Sequence, residues 1–402
     1  MRGPRRLEGS RRVRGRLEDP ERALPGWRGW STELRLPRLA RPKANIYDDL
    51  VGTPDRFQEL CGWTPDEFHA LLADVEHVFL KPRDAYGKFT EAEAALRRQR
   101  KFKHSPAERL LAFLVYLRTY PPLRKFDKYW GMCPTQCWED FHWLREQLVD
   151  EPVMVAEVQW PSAAQRAATR ELLTRCGALP PGFENAVAIA DGTKDSAEKP
   201  ADQARFDRDN IGNKGYGKTH MLLTDLFGMP IYCEAGLRGN RNDRGLWKAT
   251  AVYREPRKFL QGDENILMDG VFQGNLHCET EDGAIIPTSA RAMAAAGSAA
   301  TRRELRACNR KQRYLRTPIE QTNGLVKMYK IVGNVPWRGD VEDQGLNWVL
   351  CTQLTARLMR VRNRRPRGDK WLESAGELEE WEKELHALNE LYVDPAAPHL
   401  YV

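Results

Sequence analysis

The sequence predicts an α/β protein: a mixed sheet flanked by helices, preceded by an all-α region laid out like a helix-turn-helix. Three observations predict it. Helical spacing dominates from about Thr64 to Asp150. Short apolar runs bounded by turn residues replace it from Ala186 onward. Helical spacing then returns from Ala290 to about Tyr329. A chain of 402 residues, 41% hydrophobic and with twelve Trp, is long enough for two ordinary cores and too apolar to be disordered.

The helical part has recognisable punctuation. Ser105-Pro106-Ala107-Glu108 reads as a capping box with Pro at the first helical position, opening the apolar run Leu110–Leu117. Pro121-Pro122 closes that helix. A short helix over Leu123–Trp130 ends at Gly131, and Pro134–Val149 resumes helical spacing through Trp138, Phe141, Leu144 and Leu148. The last of these helices would be the recognition helix, yet it carries Glu139, Asp140 and Glu146 against Arg145 alone. Such a surface repels phosphates. The cluster Arg97-Arg98-Gln99-Arg100-Lys101-Phe102-Lys103 is the better DNA contact, with Arg97, Arg98, Arg100, Lys101 and Lys103 as its cations.

The sheet follows a linker near Gly177–Gly182. Ala186–Ala190 reads as a buried strand that delivers Asp191 at its C-terminal end, in Asp191-Gly192-Thr193. Thr219–Thr224 and Pro230–Ala235 form a hairpin around Leu226-Phe227-Gly228-Met229. Asn242–Ala251 is helical, Glu264–Met268 is a strand ending in Asp269, and Gly283–Pro287 is a candidate fifth strand. Glu320 lies in the later helical stretch, just past Pro318. The division that follows is a basic mobile arm over 1–44, a helical region over 60–150, a sheet domain over 183–365 and an acidic amphipathic tail over 366–402.

Charge and cysteine usage narrow the function classes. The net charge is +7, but residues 1–44 hold thirteen Lys and Arg against five Asp and Glu, so the rest is nearly neutral. A basic arm suits a polyanion, because Lys and Arg release condensed counterions from phosphates. The eight cysteines are scattered without disulfide or zinc spacing, which points to a reducing compartment. Residues 1–17 are Arg-rich without an apolar core, and the longest apolar run, Leu110–Leu117, is too short to span a bilayer.

Strand-end acids suggest phosphodiester chemistry. A phosphodiester repels nucleophiles and has a poor alkoxide leaving group, and two divalent cations answer both problems. Hard Mg²⁺ takes carboxylate oxygens, so three or four Asp and Glu suffice. Two aspartates on neighbouring strands plus a helical glutamate can build such a site.

Taken in order, the residues resemble the DDE superfamily endonucleases of the PIF/Harbinger transposase type. Ala190-Asp191-Gly192-Thr193 is similar to the first-aspartate motif, and Asn213-Lys214-Gly215-Tyr216 to the Lys-Gly-Tyr strand entry. The segment Gly236-Leu237-Arg238-Gly239-Asn240-Arg241-Asn242-Asp243 is similar to Gly-x-x-Gly-x-x-x-Asp. Leu267-Met268-Asp269-Gly270-Val271-Phe272 resembles the strand ending Asp-x-x-aromatic, and Arg316-Thr317-Pro318-Ile319-Glu320 the Arg-x-x-Val/Ile-Glu helix. Lys194 after the first motif and Phe272 in place of Tyr depart from the pattern without removing a ligand.

The resemblance implies a ribonuclease-H-like sheet and a two-metal nuclease using Mg²⁺ or Mn²⁺, with Asp191, Asp269 and Glu320 catalytic. Asp243 and Asp269 compete as the second aspartate; Asp269 ends a strand, which leaves Asp243 as a further ligand or outer partner. Lys214, Arg316 and Lys327 would position phosphates. The reaction implied is in-line attack of water on a DNA phosphate, leaving a 3′-hydroxyl for strand transfer. A Myb-like DNA-binding partner, self-association and nuclear residence also follow from the resemblance. The alternatives are a transposase-derived DNA-binding protein without cleavage and a hydrolase of small phosphoesters.

Overall fold

A computed structural model describes residues 46–80, 104–175, 179, 181–211, 215–269, 284–285, 294–333 and 335–362. The basic arm over 1–44, Arg97 to Lys103, Lys214 and the acidic tail over 366–402 lie outside the described residues.

The chain enters through α1 (Ile46–Val51), α2 (Pro54–Cys61) and α3 (Pro65–Leu80). The predicted capping box forms as read: the Ser105 side chain accepts from the Glu108 amide, and the Glu108 carboxylate accepts from the Ser105 amide. It starts α4 (Pro106–Thr119), followed by α5 (Arg124–Trp130) and α6 (Pro134–Val149), with Gly131 at φ 62° making the turn between the last two. The spacing of α6 buries Phe141, Leu144 and Leu148, while Trp138, read on the same stripe, is exposed. Its basic residue does not face solvent: Arg145 is buried and pairs with Asp343 at 3.2 Å. Asp140 is likewise used inside the fold, taking Arg109 Nε at 3.0 Å.

After α7 (Pro152–Val155) and α8 (Ala163–Arg175) comes a mixed sheet in the order β3-β2-β1-β4-β5. Its strands are β1 (Ala186–Ala197), β2 (Tyr216–Thr224), β3 (Pro230–Arg238), β4 (Asn265–Leu267) and β5 (Ala284–Ile285). β1 pairs antiparallel with β2 and parallel with β4. The β2–β3 hairpin turns where expected, because Asp225 Oδ1 accepts from the amides of Phe227 (2.9 Å) and Met229 (2.8 Å) while Gly228 takes φ 88°. The short α9 (Gln203–Arg208) links β1 to β2.

One expectation is corrected. β1 does not stop at Ala190 but continues to Ala197, so Asp191 lies within the strand. The cause is β2, which pairs with β1 from Ile189 through Ala197 and carries it past the point where β4 ends at Ile189↔Leu267. Asp191 therefore sits where the β4 ladder has just run out. The position still opens beside a strand end, but the end belongs to β4.

Helices cover both faces. The helices α10 (Asp243–Ala249), α11 (Ala251–Arg254) and α12 (Pro256–Phe259) pack Leu246, Trp247, Val252 and Phe259 on Ala188, Ala190, Met221 and Ile266. On the other face, α8 and the long α13 (Ala299–Val326) bring Leu172, Leu173, Leu315 and Ile319 against Ile189, Leu222 and Leu267. The 18-residue α14 (Gln344–Val361) follows. Its Trp348, Leu350, Cys351 and Leu354 belong to the same apolar cluster as α2 to α6, so the helical front and the sheet region share a core. Gln353 reinforces that seam by donating to the Val149 carbonyl at 2.9 Å. Among the described residues no helix is long and apolar enough to cross a membrane.

Candidate functional site

The alternation of β1 decides what faces what. Ala188, Ala190 and Gly192 point toward α10, while Ile189 and Asp191 point toward α13. In β4, Leu267 packs on the α13 side and Met268 on the other, which returns Asp269 to the α13 side. Asp191 and Asp269 thus open on one face beneath α13. That helix is anchored here by Gln312, which donates to the Met268 carbonyl at 3.0 Å.

Arg316 of α13 lies between the two aspartates. Its guanidinium is 3.5 Å from Asp191 Oδ1 through one nitrogen and 3.5 Å from Asp269 Oδ1 through the other. Asn323, two turns further along α13, donates to Asp191 Oδ2 at 2.9 Å, and its own Oδ1 is buried without a hydrogen-bond partner. Glu320 sits on the exposed side of α13 between them in sequence. Asp243 enters from the opposite layer. A Cβ added to Gly192 would lie 2.9 Å from its Oδ1, so the bare glycine is what lets this carboxylate approach β1.

These charges register on Asp191. Burial pushes its carboxyl up to about 6, Arg316 pulls it down, and Asp269, Glu320 and Asp243 push it up again in that order of effect. The other three predicted acids therefore all act on Asp191. As arranged, Arg316 supplies the countercharge between Asp191 and Asp269. Among the described residues no three Asp, Glu, His or Cys side chains stand close enough together to hold one metal ion. The donor chemistry still suits a hard cation, with carboxylate oxygens and the unpartnered amide oxygen of Asn323.

The predicted cations resolve differently. Arg316 is buried and committed to carboxylates rather than displayed for a phosphate. Lys327, the residue capping α13, donates to the Lys194 carbonyl at 3.3 Å and lies 5.9 Å from the Trp348 ring. Two features escaped sequence reading. Asn323 reads as an ordinary helix residue until its spacing from Arg316, seven positions, places both on one side of α13. Asp195, four residues beyond Asp191 on β1, is buried 3.3 Å from His220, whose ring stacks on Trp348 at 4.8 Å. Alternation along β1 from Asp191 was the available signal for Asp195.

Gly192 gives a direct check of the approach of Asp243. Gly192→Ala is expected to displace the Asp243 carboxylate and crowd Leu246, whose nearest carbon would be 3.3 Å from the new methyl. Overpacking of this kind costs about 1–3 kcal/mol. A urea titration reads it, and an unchanged midpoint would mean that α10 yields freely.

The chain matches no known protein-family model, and no curated protein or solved structure matches it.

Proposed function

We propose that the protein is a metal-dependent DNA endonuclease with a ribonuclease-H-like core, of the transposase kind, acting with Mg²⁺ or Mn²⁺. The observation that carries this reading is the opening of Asp191 and Asp269 on one face beneath α13, each 3.5 Å from the Arg316 guanidinium, with Glu320 on the same helix. The neighbouring acids raise the Asp191 carboxyl, and divalent cations relieve charge of that kind. Asp191, Asp269 and Glu320 would hold the ions, with Asp243 as a further or outer ligand reaching over Gly192.

When bound, divalent cations would supply an acidified water and charge relief at the leaving oxygen. The chain's own residues do the rest. Asn323 fixes the Asp191 carboxylate through Oδ2, leaving Oδ1 for other partners. Arg316 neutralises Asp191 and Asp269 and would offset the charge of a phosphate bound beside them. Strand transfer, a nuclear site of action and a separate DNA-binding partner belong to the same reading. The acidic surface of α6 fits dependence on such a partner, since its Arg145 is turned inward to Asp343.

The test is nicking of supercoiled plasmid in Mg²⁺ or Mn²⁺ by the wild type beside Glu320→Gln and Asp191→Asn. Nicking that needs the cation and is lost in both variants supports the reading. Nicking that persists in both would place the chemistry elsewhere. Salt-sensitive DNA binding by a wild type that never nicks would favour a binding protein that retains the fold.

A further inference from the structure

The front half of α13 carries a feature that neither the sheet nor the acidic site uses. Between Ala299 and Tyr314 stand Arg302, Arg303, Arg306, Arg310, Lys311 and Arg313 against Glu304 alone. Arg303, Arg306, Arg310 and Arg313 are exposed, and none forms an ion pair among the described residues. Successive members are three or four residues apart, so they form one ridge. Like charges at that spacing oppose helix formation by a few tenths of a kcal/mol per pair, a cost that substituting any one of them would reduce.

The ridge is aimed at the acidic site. Arg306, Arg313, Glu320 and Lys327 follow one another at intervals of seven residues. At about 100° per residue, seven residues return to within about 20° of the same direction, so these four lie along one line of the helix. Arg303 and Arg310 form a parallel line beside it, while Glu304 is turned away by about 100°. From Arg303 to Arg313 the ridge runs about 15 Å, at about 1.5 Å per residue. One DNA strand presents about four phosphates over that length, at about 3.4 Å each along the duplex axis. Arginine forks suit phosphate oxygens, which accept two hydrogen bonds from one guanidinium.

We propose that Arg303, Arg306, Arg310 and Arg313 form a track for the phosphates of duplex DNA, leading one strand along α13 to Asp191 and Glu320. The proposal rests on the nuclease reading of that site and adds which surface delivers the substrate. The ridge needs no base contact, so it binds without regard to sequence.

The test is fluorescence anisotropy of full-length protein on a labelled 30-base-pair duplex across a salt series without divalent cation. The fourfold variant R303Q/R306Q/R310Q/R313Q is compared with the wild type and the double variant R306Q/R310Q. Each phosphate contact contributes about 0.9 to the slope of log affinity against log salt. The fourfold variant should therefore lose about 2–4 from the slope magnitude and at least about tenfold in affinity at 0.1 M salt. The double variant should lose about half that slope. Circular dichroism of each variant reports the fold. Slopes equal to the wild type in folded variants overturn the track, as does a wild type that fails to bind the duplex. A wild type that binds through the ridge yet never nicks plasmid leaves the track standing and removes the nuclease reading. Nicking with unchanged binding in the fourfold variant does the reverse.

Discussion

Asp191→Asn is expected to stabilise the protein above pH 7 while removing metal-dependent nicking altogether. The two effects come from one cause. Burial and three neighbouring acids raise the folded-state carboxyl to about 6, above its ordinary 3.8. A group raised in this way contributes stability that is fully present below the unfolded value and lost as pH climbs through about 6. At pH 8 the wild type therefore holds an ionised carboxylate that the fold disfavours, and asparagine holds none. A shift of about two units sets an upper limit of about 3 kcal/mol on the gain. The gain should shrink toward zero near pH 4, where the aspartate itself is neutral. Asparagine keeps an oxygen for the Asn323 amide, so the local geometry has little reason to change. Urea titrations at pH 4.5 and pH 8 read the effect directly. Equal stability of both proteins at pH 8 would mean that Arg316 already compensates the charge in full.

The same experiment separates an acid kept for chemistry from one kept for structure. Adding Mg²⁺ should raise the melting temperature of the wild type, because a ligand that binds only the folded state stabilises it by mass action. Asp191→Asn should show little of that rise. A residue that destabilises the fold at neutral pH and is needed for cation-dependent stabilisation has a reason to be present that packing does not supply. Loss of nicking in a variant more stable than the wild type could not be blamed on unfolding.

How much of this was legible beforehand varies by element, for physical reasons. The capping box at Ser105 and the turn at Asp225–Met229 are local: each is made by side chains binding amides two to four residues away, so spacing alone reveals them. The α13 helix was legible through its apolar positions Leu315, Ile319 and Val326, despite Pro318 within it. The length of β1 was not, since Gly192 to Ala197 is held by pairing to β2 and carries polar residues that read as a turn. The partners of Arg316 were hidden for a related reason. A cation beside acids in space looks, in sequence, like a cation beside solvent, and only the register of β1 against β4 reveals that two aspartates face it. Asn323 and the ridge at Arg303 to Arg313 were readable from helical spacing alone, but only once α13 was known to be continuous.

A buried ion pair stands at the start of β4, and breaking it should give the largest loss of stability of any single side-chain change discussed. Glu264 lies one residue before β4 and Arg166 lies on α8, both side chains 4% exposed. Arg166 Nε sits 3.1 and 3.0 Å from the two Glu264 oxygens, Nη2 donates at 2.6 Å, and Nη1 donates to the Pro161 carbonyl at 2.6 Å. The Gln261 amide adds a bond to Glu264 Oε2 at 2.9 Å. Glu264→Gln keeps the shape but leaves a guanidinium buried without its countercharge, which costs about 3–5 kcal/mol. Arg170, 3.9 Å from Glu264 Oε1, adds a second cation to the uncompensated charge. Arg166→Met should cost a similar amount, stranding the carboxylate instead. The double variant R166M/E264L should fall well short of the sum, because no charge is then left buried. A double-mutant cycle by chemical denaturation measures this, and strictly additive losses would show that the pair does not act as a unit. The consequence reaches the acidic site. β4 holds only three residues, and Asp269 follows two positions after it, so the Arg166–Glu264 pair anchors the start of the short segment that ends at Asp269. Glu264→Gln, assayed well below its melting temperature, should therefore lower nicking further than its remaining folded fraction accounts for.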